Sequence, residues 1–210
     1  ILRVMYMGST FANVIIIISL LVLICVCLYF AYYKFMHFIK STYVKSSIDN
    51  RYYLVKKSSK NKEQNAADTL AEMNRRTCIL LDNLKNSNEN YYELSRNVKL
   101  LTKRYSPESL TENILNEGTS YTINKGSELA FCISTRDHNE NIYDINKMMY
   151  ILIHELSHVG CESFGHDAEF IKFFKFLALK AVKYDLLYYV DYKKAPEEYC
   201  GIDLTSNILS

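Results

Sequence analysis

The stretch Ile153–Phe170 reads IHELSHVGCESFGHDAEF and concentrates the residue types from which a hydrolytic metal site is built. Residues four apart on a helix share a face, so His154 and His158 can aim their imidazoles at one Zn²⁺ ion about 2.0–2.1 Å away. Glu155 reaches the same face at an angle, which suits a base acting on water better than a ligand. A catalytic zinc takes three protein ligands and keeps one position open. His166 is the candidate third ligand: Gly160 is expected to break the helix after His158, and Gly165 to turn the chain back so that His166 opens the next helix. The bland alternative for His166 is an exposed residue at a helix start. His37, beside an apolar run, and His138, in a polar loop, have no such setting.

These residues need a scaffold. The segment DINKMMYILIHELSHVG begins at Asp144, a natural N-cap, and its apolar run predicts a buried helix of about four turns. Two imidazoles and a carboxylate at its inner end are costly to bury unless they bind something. A second amphipathic helix is expected from Asp167 to Tyr184. Upstream, Tyr121–Ile123 and Glu128–Ser134 are β-type runs around Asn124, Lys125 and Gly126, which predicts a hairpin. Further back, Leu70, Met73, Leu80 and Leu84, then Tyr91, Leu94, Val98, Leu101 and Tyr105, recur at helical spacing on either side of SNEN, predicting an α-hairpin that Pro107 ends. A short third helix is expected to begin at Ser109 to Glu112 and to be closed by Gly118.

The N-terminal part is of another kind. No charged side chain lies between Arg3 and Lys34. Phe11 to Tyr33, as a helix, would be about 34 Å long and would cross a hydrocarbon core of about 30 Å. The run exceeds the 7–15 residues of a signal-peptide core, and no small-x-small site follows it, so it reads as a retained anchor. Arg3 stands alone before the span, whereas Lys34, Lys40, Lys45, Arg51, Lys56 and Lys57 follow it, which predicts a single-pass protein with its C-terminal body on the cytosolic side. The chain opens at Ile1 rather than at Met, leaving room for residues upstream. Residues 41–65 are polar and basic and read as a juxtamembrane linker, a composition that is usually solvated but also suits anionic lipid. The expected organisation is therefore an anchor over 1–40 with its span at about 11–33, a linker over 41–65, and a folded domain over 66–210.

Composition sets the outer limits. With 25 Lys+Arg against 23 Asp+Glu in 210 residues, the net charge of +2 gives no whole-chain attraction to nucleic acid. Six glycines, two prolines and 49% apolar residues exclude collagen-like and globally disordered chains. The six cysteines show neither a CxxC pair nor disulfide-scaffold spacing, so free thiols in a reducing compartment are the default, with a Cys161–Cys200 bridge as the weighed exception.

HELSH, a short glycine-containing loop and then GHDAEF resemble the WLM and SprT-like zinc metallopeptidases, where the third histidine opens a helix carrying an aromatic residue, here Phe170. The resemblance runs from Tyr121 to Leu204 and is nearest to the WLM-type proteins of large nucleocytoplasmic DNA viruses. It implies an α+β chain: a transmembrane helix followed by a minimal zincin-like domain, with helices packed on a small β-sheet and the HExxH motif on one of them. It further implies zinc held by His154, His158 and His166, Glu155 as general base, and a strand over the cleft that pairs with an extended polypeptide substrate. Leu129, Ala130, Phe131, Cys132 and Ile133 are the expected substrate strand. Tyr192, Tyr199 and His138 are all open as donors to the oxyanion. The membrane anchor departs from the cellular relatives, which act on conjugated or crosslinked proteins in the nucleus.

The leading expectation is a membrane-anchored zinc metallopeptidase whose partners are a polypeptide substrate and the bilayer. From another class comes a structural protein of a virion membrane that uses the zincin-like fold as scaffold beneath a capsid; there the domain would face the capsid and touch other virion proteins. A membrane-tethered DNA-binding module has only the basic arm behind it and no base-reading motif, so no specific nucleic acid is predicted.

Overall fold

The computed structural model describes residues 2–87, 93–115, 118–137 and 139–208, with side chains from residue 12 onward. It contains an N-terminal helix and a separate compact unit from Ser41. The helix, α1, spans Leu2–Lys40. Its stretch Ala12–Lys40 is long and apolar enough to cross a membrane. Val14, Ile17, Leu21 and Leu28 on this stretch are all more than half exposed, unlike the apolar face of a core helix in a soluble domain. A helix suits the bilayer because it satisfies every interior backbone group within itself.

The expected linker is ordered structure. Strands β1 (Ser41–Lys45) and β2 (Tyr52–Lys56) form an antiparallel hairpin, and α2 begins at Lys60 and runs to Asn86. Alternation decides this: Tyr53 and Val55 are buried while Tyr52 faces outward, a period of two that the lysines obscure in the sequence. Asp68 of α2 staples the turn by accepting from the Ser46 hydroxyl at 2.7 Å and from the Ser47 backbone N–H at 2.7 Å.

Helix α3 (Ser95–Arg104) follows, then a 3₁₀ turn at Pro107–Ser109 and strand β3 (Leu110–Glu112). The short helix expected to begin at 109–112 does not start there: Ser109 ends the 3₁₀ turn and Leu110–Glu112 is extended. β3 pairs in parallel with β2 and with β5 (Glu128–Phe131), and these non-local ladders override local preference. The two predicted helices do not form a simple α-hairpin: α2 packs on β1, β2 and β3, and α3 packs on α4 (Ile145–Gly160). Part of the segment expected to separate them, 88–92, lies outside the described residues.

β4 (Tyr121–Ile123) pairs antiparallel with β5, as the hairpin reading expected, through a turn in which Asn124, Lys125 and Gly126 all have positive φ. The five-stranded sheet runs β1-β2-β3-β5-β4, so β4 is an edge and β5 is interior. After α4 come α5 (Ala168–Lys183) and a hairpin of β6 (Glu197–Tyr199) and β7 (Ile202–Leu204). Cys200 and Gly201, at φ 49° and 85°, make the two-residue turn of that hairpin. Met148, Met149, Leu152, Ile153 and Leu156 of α4 are fully buried, which places this helix at the centre of the core.

Candidate metal centre

Helix α4 starts where Asp144 accepts from the Lys147 N–H at 3.0 Å, and it carries His154 and His158 on one face. Gly160 is its last residue and keeps an ordinary helical backbone instead of breaking it; its missing side chain admits the Phe173 ring of α5. The chain then reverses. Arg104 of α3 donates to the carbonyls of Val159 (2.8 Å) and Cys161 (3.1 Å), satisfying groups that a helix end leaves orphaned. Asn97, also on α3, donates to the Gly160 carbonyl at 3.1 Å and to Glu169 at 2.7 Å. Gly165 turns with φ 92°, Asp167 caps α5, and His166 comes back over α4.

The three imidazoles converge. His166 Nε2 lies 3.0 Å from His154 Nε2 and 3.2 Å from His158 Nε2. Tetrahedral coordination at about 2.0–2.1 Å per bond sets ligand nitrogens roughly 3.3 Å apart, so this donor set fits a zinc ion. Among the described residues these three form the one group of His, Cys, Asp or Glu side chains placed to hold a metal. Phe170 stacks on His158 at 4.3 Å between ring centroids, and Phe174 packs edge-on to His154 at 5.2 Å, so α5 fixes the ring planes. Burial, helped by the neighbouring imidazoles, pushes His154 down to about 3; burial, with His166 and Lys125 nearby, pushes His158 down to about 4. Both rings are therefore neutral near pH 7, the state in which imidazole binds metal.

Glu155 sits beside this cluster, only 6% exposed. Burial raises its carboxyl to about 7, against the opposing effect of a hydrogen bond from the Thr122 hydroxyl at 2.6 Å. Glu155 and the three histidines line a cleft of about 590 Å³, together with Tyr121 and Thr122 of β4, Tyr199 and residues 202–206.

Comparison with known proteins adds lineage. "Uncharacterized protein R325" of Acanthamoeba polyphaga mimivirus is 34% identical over 197 residues, covering 93% of this chain and 98% of its own. The chain belongs to the R325 family. Two invertebrate iridescent virus proteins share about half their length with it: "Uncharacterized protein 136R" of virus 6, 34% identical over 93 residues (43% of this chain, 51% of that protein), and "Uncharacterized protein 042R" of virus 3, 33% identical over 90 residues (42% and 54%). No protein-family model and no solved structure matches the sequence.

In this R325-family chain the four residues expected to do chemistry come together, whereas the expected substrate strand does not. Leu129, Ala130, Phe131, Cys132 and Ile133 are buried, and β5 has β3 on one side and β4 on the other, so it has no free edge for another chain. The strand bordering the cleft is β4, whose Tyr121 and Thr122 line it. Nothing in the sequence distinguished the two arms of this hairpin, because edge position depends on the parallel pairing of β3. Of the three oxyanion candidates, Tyr199 reaches the cleft, with its hydroxyl 2.5 Å from Ser120 Oγ. Tyr192 is buried elsewhere, against Tyr150, and His138 lies outside the described residues.

The cysteines also depart from expectation. Cys200 is bridged to Cys132, with Cα atoms 6.4 Å apart, and not to Cys161, which is buried and free. The bridge ties the β6–β7 hairpin, and with it Tyr199, to the end of β5. Thr122 and the cleft-rim pair Lys125 and Phe164, with the ammonium 4.2 Å from the ring centroid, had no motif to mark them.

Proposed function

We propose that this chain is a membrane-anchored zinc metallopeptidase that hydrolyses extended polypeptide. The observation that carries the reading is the convergence of His154 and His158 on His166, whose Nε2 lies 3.0 and 3.2 Å from theirs, with a buried carboxylate beside them in an open cleft. His154, His158 and His166 would hold zinc through Nε2. Zinc supplies Lewis acidity there, acidifying water and polarising a peptide carbonyl. Glu155, with Oε2 held by Thr122, would take the water's proton on Oε1 and pass it to the leaving nitrogen. β4, the sheet edge beside the cleft, is the place for the substrate backbone. Tyr199, whose side chain also lines the cleft, would be the donor to the developing oxyanion.

α1 is the anchor in this reading. The basic residues that follow it favour the cytosolic side for the body, while the Cys132–Cys200 bridge argues for an oxidising compartment. The viral relatives and the candidate span suit a place in a virion membrane as well, where the same fold could serve as scaffold. The deciding experiment is cleavage of an unfolded protein by the full chain in detergent, before and after chelation and after zinc is restored. Loss and recovery of turnover support the peptidase; a zinc-replete chain that cleaves nothing leaves the scaffold.

A further inference from the structure

Two hydroxyls on the inner side of the β4 segment each hold one cleft side chain. Ser120 and Thr122, two residues apart, project to the same face. Ser120 Oγ meets the Tyr199 hydroxyl at 2.5 Å, and Thr122 Oγ1 donates to Glu155 Oε2 at 2.6 Å. The second bond is the informative one. Glu155 is nine-tenths buried, and among the described residues Thr122 is its hydrogen-bond partner. The strand fixes the donor: Thr122 lies in the middle of β4, in register with Leu129, which has no exposure at all.

We infer that Thr122 is a positioning residue for Glu155 in the hydrolysis proposed above, on which this inference rests. The last torsion of a glutamate is broad, so an untethered carboxylate turns freely about it. A proton acceptor in that state is misplaced for most of the time, and a displacement of about 1 Å can cost on the order of 10² in rate. One donor bond to Oε2 removes that freedom and leaves Oε1 for the proton. A hydroxyl is well matched to this role because it offers one short bond to a carboxylate and, unlike lysine or arginine, adds no charge that would weaken the base.

The test uses the full-length chain in detergent, loaded with zinc, and a fluorogenic peptide that allows kcat and KM to be separated. Thr122→Val keeps the shape and branching of the side chain but cannot donate; Thr122→Ser keeps the donor. Thr122→Val is expected to lower kcat by roughly 10- to 100-fold with KM within about twofold of wild type, and with zinc content unchanged. Thr122→Ser should stay within about threefold of wild type. A Thr122→Val enzyme with wild-type kcat overturns the inference. So does a Thr122→Ser enzyme as slow as Thr122→Val at equal zinc content, because shape and not the hydroxyl would then be at stake. A wild type that cleaves no faster than Glu155→Gln is a different failure: it removes the peptidase reading itself, and this inference with it.

Discussion

Gly160 of α4 and Phe173 of α5 touch so closely that a Cβ on residue 160 would overlap the phenyl ring. This contact brings the start of α5, and His166 just before it, back over the α4 face that carries His154 and His158. Gly160→Ala should therefore destabilise the chain by roughly 1–3 kcal/mol, the usual cost of overpacking, and weaken zinc binding in the same variant. Shortening the obstructing ring in Gly160→Ala/Phe173→Leu should recover part of both. Chemical denaturation with parallel zinc titration measures the two effects. A Gly160→Ala protein with wild-type stability would show that α5 is not held by this approach.

Glu112 gives a pH signature remote from the histidines. Its side chain, 7% exposed, accepts the Lys56 N–H at 2.8 Å, yet burial raises its carboxyl from 4.5 to about 7. An acid whose value is raised by folding contributes stability that is fully present below pH 4.5 and is lost as pH rises through about 7. The shift corresponds to roughly 3 kcal/mol over that window. Glu112→Gln retains an acceptor but no titrating group, so the fall in stability between pH 5 and pH 8 should shrink by up to this amount. Glu155 contributes a slope of the same sign in both proteins, so the difference between them isolates Glu112. Parallel stability profiles for the two would contradict the assignment.

The Cys132–Cys200 bridge closes a loop with a sequence separation of 68. The chain-entropy model assigns such a crosslink about 4 kcal/mol at most, and measured bridges commonly give 2–4. Alkylation of the unreduced, unfolded chain should modify four thiols, those of Cys25, Cys27, Cys78 and Cys161. Cys132→Ser and Cys200→Ser should lose similar stability, and the double variant little more than either single one. Six modified thiols before reduction would exclude the bridge.

Much of the site was legible because it is local. His154, Glu155 and His158 lie within one turn and a half of helix, and the caps Asp144 and Asp167 mark the starts of the helix that carries His154 and His158 and of the helix that His166 precedes. The Asn124-Lys125-Gly126 turn likewise announced its hairpin. What failed depends on distant partners. Residues 41–56 looked like a linker because charged side chains on the open face hide the buried Tyr53 and Val55. Leu110–Glu112 became a strand only by pairing with β2 and β5. The same pairing moved the free edge from the apolar β5 to the more polar β4, and so removed Leu129–Ile133 from contact with any substrate. Cys132 and Cys200 are joined by the fold of the C-terminal hairpin over the sheet, which spacing cannot encode.

Glu155→Gln tests the central claim most directly. The substitution keeps size and shape, and its amide oxygen can still accept the Thr122 hydroxyl, but the side chain can no longer carry a proton away from water. Wild type and variant, each full length and matched in zinc content and melting temperature, are compared for cleavage of an unfolded protein. The account predicts a rate at least about 10² lower for Glu155→Gln, the scale of losing a general base. Equal rates in the two proteins would contradict it.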